Sequence, residues 1–190
     1  QVLIANALGS GVLESGALLG YLPALSRELL GEPLRMPSVA TWWLGEPAAL
    51  ADASARLDRL IIKPLERSPR EPPLFVGDLS RDEQVLLRAR IAARPQRYVA
   101  QEWVHVSQAP VFERGPPEAL APRTVGLRVF AVATPGGWHV MPGGLTRVAS
   151  DGDSRDIAMQ RGGRSKDTWV LSDAPVNSAF TLLTTTVEAG

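Results

Sequence analysis

Two lysines, Lys63 and Lys166, stand against eighteen arginines in this 190-residue chain, and each lies where a cation could meet phosphate. Lys63 ends the apolar, β-branched run Leu60-Ile61-Ile62-Lys63-Pro64, which puts an ammonium at the end of a strand. Lys166 follows a glycine turn in Gly162-Gly163-Arg164-Ser165-Lys166-Asp167-Thr168-Trp169. Arginine replaces lysine on a solvated surface at little cost, but its planar fork is a poor substitute where a compact ammonium must fit against a phosphate oxygen. The competing explanation is an arginine-rich coding bias that left two lysines behind.

Three further constellations could carry chemistry. In Asn6-Ala7-Leu8-Gly9-Ser10-Gly11 a Gly-x-Gly turn follows an apolar run, an arrangement by which backbone amides reach a pyrophosphate. Glu14 occupies the third glycine position of that fingerprint, and no second strand ends in an acid at the right interval, so a dinucleotide fold is rejected. Asn6 could offer an amide oxygen to magnesium, or cap a turn. The second constellation pairs Ile62-Lys63-Pro64 with Tyr98-Val99-Ala100-Gln101-Glu102-Trp103-Val104. A lysine near one strand end can hold nucleotide phosphates, and Gln101-Glu102 leaving the other offers a backbone and a carboxylate to an adenine amino group and ribose hydroxyls. The third joins Gly126-Leu127-Arg128-Val129-Phe130 to Met141-Pro142-Gly143-Gly144-Leu145-Thr146-Arg147-Val148. Arg128 reads as mid-strand among apolar neighbours, where a guanidinium needs an anionic partner. That partner is either a structural acid such as Glu102 or a phosphoryl group in transfer.

These groups need elements to position them. Val2 to Ala5 reads as a strand and about Gly16 to Leu30 as a helix, stopped by Gly31 and kinked or broken at Pro23. Ser38 to Trp43 is a short strand or extended arm, and a helix starts with Pro47 at its first position and runs to about Leu57. Arg59 to Leu65 is the lysine-bearing strand. The polar loop Glu66 to Pro73 holds three prolines, and strand Leu74 to Gly77 follows. Ser80 with Glu83 forms a capping box for a helix to about Ala93. Alternation predicts a strand over Arg97 to Ser107, with Ala100 and Glu102 on one face and Val99 and Gln101 on the other. Val111 to Pro122 reads as a proline-rich connection. Thr124 to Ala133 and Trp138 to Met141 form a hairpin around Thr134-Pro135-Gly136-Gly137, and Thr168 to Leu171 is a last strand before a small, polar tail from Ala174. The class is α+β, with mixed and antiparallel sheets and flanking helices.

Composition narrows the function. A 45% apolar content supports one good core, or two small lobes sharing one. Twenty acids cancel twenty bases with no basic block, which argues against a nucleic-acid partner. Without cysteine there is no disulfide or thiolate site, in keeping with a reducing cytoplasm, and two histidines leave little for a histidine metal site or triad. No apolar run reaches the ~20 residues of a membrane span. Gln1 opens inside an apparent strand, so the chain reads as an excerpt of a longer protein, whose N-terminal remainder is expected to contribute to any site.

The segments Asn6 to Val12, Thr41 to Gly45, Ile62 to Pro64, Tyr98 to Glu102, Leu127 to Phe130, Met141 to Ala149 and Gly162 to Leu171 together resemble the C-terminal portion of circularly permuted ATP-grasp proteins. The resemblance runs from about Val2 to Leu171, and its last two motifs are long and distinctive. It implies ATP-grasp-like α+β lobes over residues 1–173 that clasp ATP and Mg2+. It also implies carboxylate–amine ligation, in which ATP phosphorylates a small-molecule or peptide carboxylate and an amine displaces the acyl phosphate. Lys63 would bind the α/β phosphates, while Gln101 and Glu102 would hold adenine. Arg128 would stabilise the transferring phosphoryl group. Asn6 would ligate metal, and Arg147 and Lys166 would be further anion contacts.

Two departures weigh against turnover by this segment alone. Intact relatives carry a glycine-rich loop after the strand lysine, whereas Glu66 to Pro73 has no glycine and cannot cradle phosphate with proline nitrogens. Charge is sparse near Glu14-Ser15-Gly16, where related chains place acids and a lysine. Besides the ligase, a non-catalytic binding or assembly module beside a fused helical domain fits the sequence. A sugar or peptide binder using Trp42, Trp43, Trp103, Trp138 and Trp169 is a third reading, although strand tryptophans more often build cores.

Overall fold

Apolar residues on alternating positions give strands that bury one face, and here two such strands form the centre of a sheet covered on both sides. The computed structural model describes residues 8–66, 71–113, 119–149, 163–171, 173 and 175. The expected strand Val2 to Ala5, the middle of the proline loop (67–70), residues 150–162 and the tail beyond 175 lie outside the described residues. The chain divides after His105 into two compact units.

The first unit runs α1 (Leu18–Leu30), β1 (Thr41–Trp43), α2 (Pro47–Ala55), β2 (Leu60–Pro64), β3 (Leu74–Phe75), α3 (Arg81–Ala93) and β4 (Tyr98–Glu102). Its antiparallel sheet has the order β1-β4-β2-β3. α1 ends at Gly31 in the left-handed conformation and continues through Pro23 without a break. α2 begins with Pro47, and its last turn passes into a 3-10 helix over Leu57–Arg59. α3 carries the complete capping box: Glu83 N–H donates to Ser80 Oγ, and the Ser80 N–H and hydroxyl donate to the Glu83 carboxylate. Those two bonds hold Glu83 below its usual carboxylate pKa, the hydroxyl having the larger effect.

Leu60, Ile62 and Ala100 face the helices and join Leu44, Ala53, Leu57, Val76, Leu87 and Ile91 in the core. Each of the buried leucines, isoleucines and Val76 contributes about 1.5–3 kcal/mol of burial free energy. The opposite face carries Thr41, Ile61, Lys63, Val99 and Gln101, as the register Thr41↔Gln101↔Ile61 requires. It too is covered. A Cβ at Gly20 would stand 2.6 Å from the Thr41 carbonyl oxygen and one at Gly16 would stand 3.2 Å from Val99 Cγ2, so the entry to α1 lies directly on this face.

The second unit is built of β5 (Gln108–Glu113), β6 (Ala119–Arg128), β7 (Ala131–Thr134), β8 (Gly137–Val140), β9 (Leu145–Val148) and β10 (Arg164–Lys166). They form an antiparallel sheet β10-β9-β6-β5 and a separate hairpin β7-β8. The hairpin turns at Pro135-Gly136 as expected.

Four expectations are corrected. The strand Arg97 to Ser107 stops at Glu102, because the alternation runs on in sequence but residues 103–106 have no strand partner among the described residues. The proline-rich stretch Val111 to Pro122 contributes most of a β5-β6 ribbon. Pro122 is tolerated because it faces Pro110 at a non-hydrogen-bonded pair, three steps from the bonded pair Ser107/Val125, where neither strand needs an inward N–H. The strand Thr124 to Ala133 breaks at Val129-Phe130, where pairing with β9 ends and the hairpin begins. The last strand is Arg164–Lys166 rather than Thr168 to Leu171, since β9 offers a partner only opposite Val148 to Thr146.

Candidate functional site

Lys63 follows Ile61 by two residues, so its side chain falls on the same face as Gln101, diagonally across the β2-β4 pair. The half-buried Lys63 Nζ donates to Gln101 Oε1. Gln101 is only 7% exposed, and a buried amide must be hydrogen-bonded at both ends to be tolerated. Its Nε2 donates to Thr41 Oγ1 at 2.9 Å, and Thr41 Oγ1 donates to the Val39 carbonyl at 2.8 Å. Three strands' worth of backbone therefore hold one ammonium through a directional row of donors.

Glu102 lies on the other face. Its N–H donates to the Ala40 carbonyl at 3.0 Å, and its carboxylate accepts from Arg56 Nη1 at 3.4 Å. Arg56 in turn donates to Asp52 at 2.7 Å and lies 4.3 Å from the centre of the Trp42 ring. The Asp52 hydrogen bond leads the causes that raise the Arg56 pKa above its ordinary value. The Gln101-Glu102 dipeptide thus sends one side chain to Lys63 and the other away from it.

The second unit carries the remaining cations. Arg128 is exposed at the end of β6, its guanidinium 5.6 Å from the Phe130 ring centre, so the expected burial mid-strand is corrected. Gly144 packs on the same strand end: a Cβ there would stand 2.8 Å from the Arg128 carbonyl oxygen. Arg147 is half-buried on β9 opposite Gly126 and Ser165, and its Nε has no hydrogen-bond partner among the described residues. Lys166 Nζ donates to the Pro110 carbonyl at 2.6 Å and so ties the two edge strands of the sheet together. Asn6 lies outside the described residues. Among the described residues no group of three or more Asp, Glu or His could hold a metal ion.

Of the sequence-predicted residues, the structure brings Lys63 and Gln101 into contact. Thr41, Arg56 and Asp52 were not legible as site residues. Asp52 and Arg56 do show the four-residue spacing of a helical ion pair, whereas Thr41 gives no signal until its register with Gln101 is known.

The family of circularly permuted ATP-grasp type 2 proteins has a model that matches residues 1–149. The chain belongs to this family. It is 34% identical over 175 residues to an uncharacterized protein of Mycobacterium tuberculosis strain H37Rv, covering 90% of this chain and 31% of that protein. A Mycobacterium leprae protein, also uncharacterized, is 36% identical over 175 residues, covering 90% and 30%. A Frankia alni protein that carries the provisional name glutamate–cysteine ligase 2-3 is 33% identical over 172 residues, covering 90% and 19%. The chain spans less than a third of the length of these curated relatives.

Proposed function

We propose that this chain is the ATP-binding part of a carboxylate–amine ligase, with Lys63 as its principal phosphate-binding cation. The observation that carries this reading is the row Lys63, Gln101, Thr41. A neutral amide fixes the ammonium without cancelling its charge, which suits a polyphosphate oxygen. Family membership and the provisional ligase name of the Frankia relative support the same reaction class.

ATP is a substrate in this chemistry: it supplies the phosphoryl group that makes the carboxylate reactive. The chain's own residues act by charge and position. Lys63 holds the non-transferred phosphates, and Glu102, at the end of β4, offers its backbone carbonyl to the nucleobase amino group, its N–H being held by Ala40. Arg128, exposed at the end of β6, is available to the phosphoryl group in transfer, where charge neutralisation is the main catalytic contribution. Arg147, whose Nε has no hydrogen-bond partner among the described residues, is a further anion contact. Asn6 would offer an amide oxygen to magnesium, which would neutralise phosphate charge. The carboxylate and amine substrates are small molecules or peptides.

One observation favours a second reading, a nucleotide-binding or assembly module without turnover. The stretch after Lys63, Glu66 to Pro73, has three prolines and no glycine. Such a connector gives few backbone donors to a phosphate.

Calorimetric titration of Mg-ATP into the chain and into Lys63→Ala tests the proposal. Saturable binding that is lost in a folded Lys63→Ala chain is expected. A folded wild-type chain that gives no heat, or a variant that binds as well as wild type, would overturn it. Trapping with hydroxylamine then separates the two readings: ATP-dependent hydroxamate marks an activated carboxylate, and binding without it marks the module.

A further inference from the structure

A glutamine at 7% exposure beside Ile61 and Val99 on its sheet face is costly unless both ends of its amide are matched. Here both are. Oε1 accepts from Lys63 and Nε2 donates to Thr41, whose own hydroxyl donates onward to Val39. Because Thr41 Oγ1 gives its proton to a backbone carbonyl, it is left as an acceptor, which fixes the amide orientation. The oxygen of Gln101 must then face Lys63. The orientation follows from the network and not from any choice at Gln101 itself.

We propose that Gln101 and Thr41 are positioning residues that aim the Lys63 ammonium at a polyphosphate, rather than contacts to the nucleobase. This inference rests on the reading of Lys63 given above. It differs from what the resemblance implies, which puts Gln101 on adenine. Gln101 commits Oε1 to Lys63 and Nε2 to Thr41 and is only 7% exposed, so the one lone pair and one N–H that its amide has left are shielded by burial from a base.

The chain's two lysines make the test direct. Labelling with [ε-13C]lysine gives two resonances, one from Lys63 and one from Lys166, and the second serves as an internal control. In the wild-type chain a fixed rotamer makes the two ε protons of Lys63 inequivalent. Gln101→Met removes the acceptor at similar length, and Thr41→Val removes the hydroxyl that orients it. Both are expected to merge the Lys63 ε protons into one averaged signal and to leave Lys166 unchanged.

Inorganic tripolyphosphate, titrated by calorimetry, is the binding probe. Its affinity is expected to fall on the order of tenfold in each variant, the size of one hydrogen bond to a charged group. Gln101→Glu restores an acceptor and the inequivalent pair, yet lowers tripolyphosphate affinity further by placing a negative charge beside the ammonium. A merely structural glutamine does not produce that split. Should Gln101→Met not fold, Thr41→Val decides alone. Wild-type affinity and an unchanged Lys63 signal in the folded variants would overturn the positioning role while leaving the phosphate reading standing. A wild-type chain that binds neither tripolyphosphate nor ATP would overturn both.

Discussion

The two units handle polar side chains in opposite ways. In the first, the central strands β2 and β4 are covered on both faces, so a polar residue between them survives only with every hydrogen bond made and only in one orientation. In the second, among the described residues, the buried set is reduced to Thr124, Val148 and Ala149, and most strand side chains reach solvent. Arg128 and Lys166 are exposed there, and nothing comparable to the Lys63 row fixes Arg128. The difference teaches that burial on both faces makes a strand a precise platform for one ammonium. An exposed ribbon offers charge with little aim.

The largest expected effect that would sharpen this comparison is in the core. Ile62→Ala removes a side chain that is 1% exposed and should cost about 2–5 kcal/mol. Residue-resolved hydrogen exchange should show the loss across β2 and β4. If the amides of β6 and β9 lost protection by the same amount, the division into two energetic units would be broken.

Next is Gly144→Ala in the second unit, whose Cβ would meet the Arg128 carbonyl at 2.8 Å and Leu127 Cδ1 at 2.9 Å. Since the nearest atom is backbone, β6 and β9 must separate, at about 1–3 kcal/mol. Exchange at Leu127 and Thr146 should rise, and that at Ile61 and Gln101 should not. Ser80→Ala follows at about 1 kcal/mol, through loss of the α3 cap, read by urea denaturation.

The Glu83 part of the same cap gives a pH test. Its folded pKa is depressed by the Ser80 hydroxyl and N–H. The stability it contributes is therefore present above the unfolded-state value of about 4.3 and disappears as pH falls through the lower folded value. Wild type should exceed Glu83→Gln near neutrality, and the gap should close in acid. A gap independent of pH would show that the carboxylate charge has no part in the cap. The smallest effect is Lys166→Met, about 0.5 kcal/mol for one exposed hydrogen bond to Pro110, seen in the exchange of β5.

Legibility in the sequence follows the same division. Caps and breakers act within a few residues, so Gly31, Pro47 and the Ser80/Glu83 box gave the three helices closely. The β2 strand and its lysine were legible from a β-branched run. What failed depends on partners distant in sequence. Nothing local to Arg97 through Ser107 says that the ladder ends at Glu102. Pro122 reads as part of a connection until its pairing with Pro110 shows that neither owes the other an N–H. Arg128 read as buried because its neighbours are apolar, yet in this ribbon those neighbours are themselves exposed. The role of Gln101 was hidden for the same reason: its acceptor, Thr41, lies sixty residues away.

The central claim is that, of the two lysines, Lys63 meets the nucleotide phosphates through a fixed geometry, while Lys166 chiefly ties β10 to β5. The most direct test is a titration of Mg-ATP followed at both [ε-13C]lysine resonances of the intact chain. The Lys63 signal is expected to shift saturably with nucleotide and the Lys166 signal to move little. A saturable shift at Lys166 with Lys63 unmoved would contradict it.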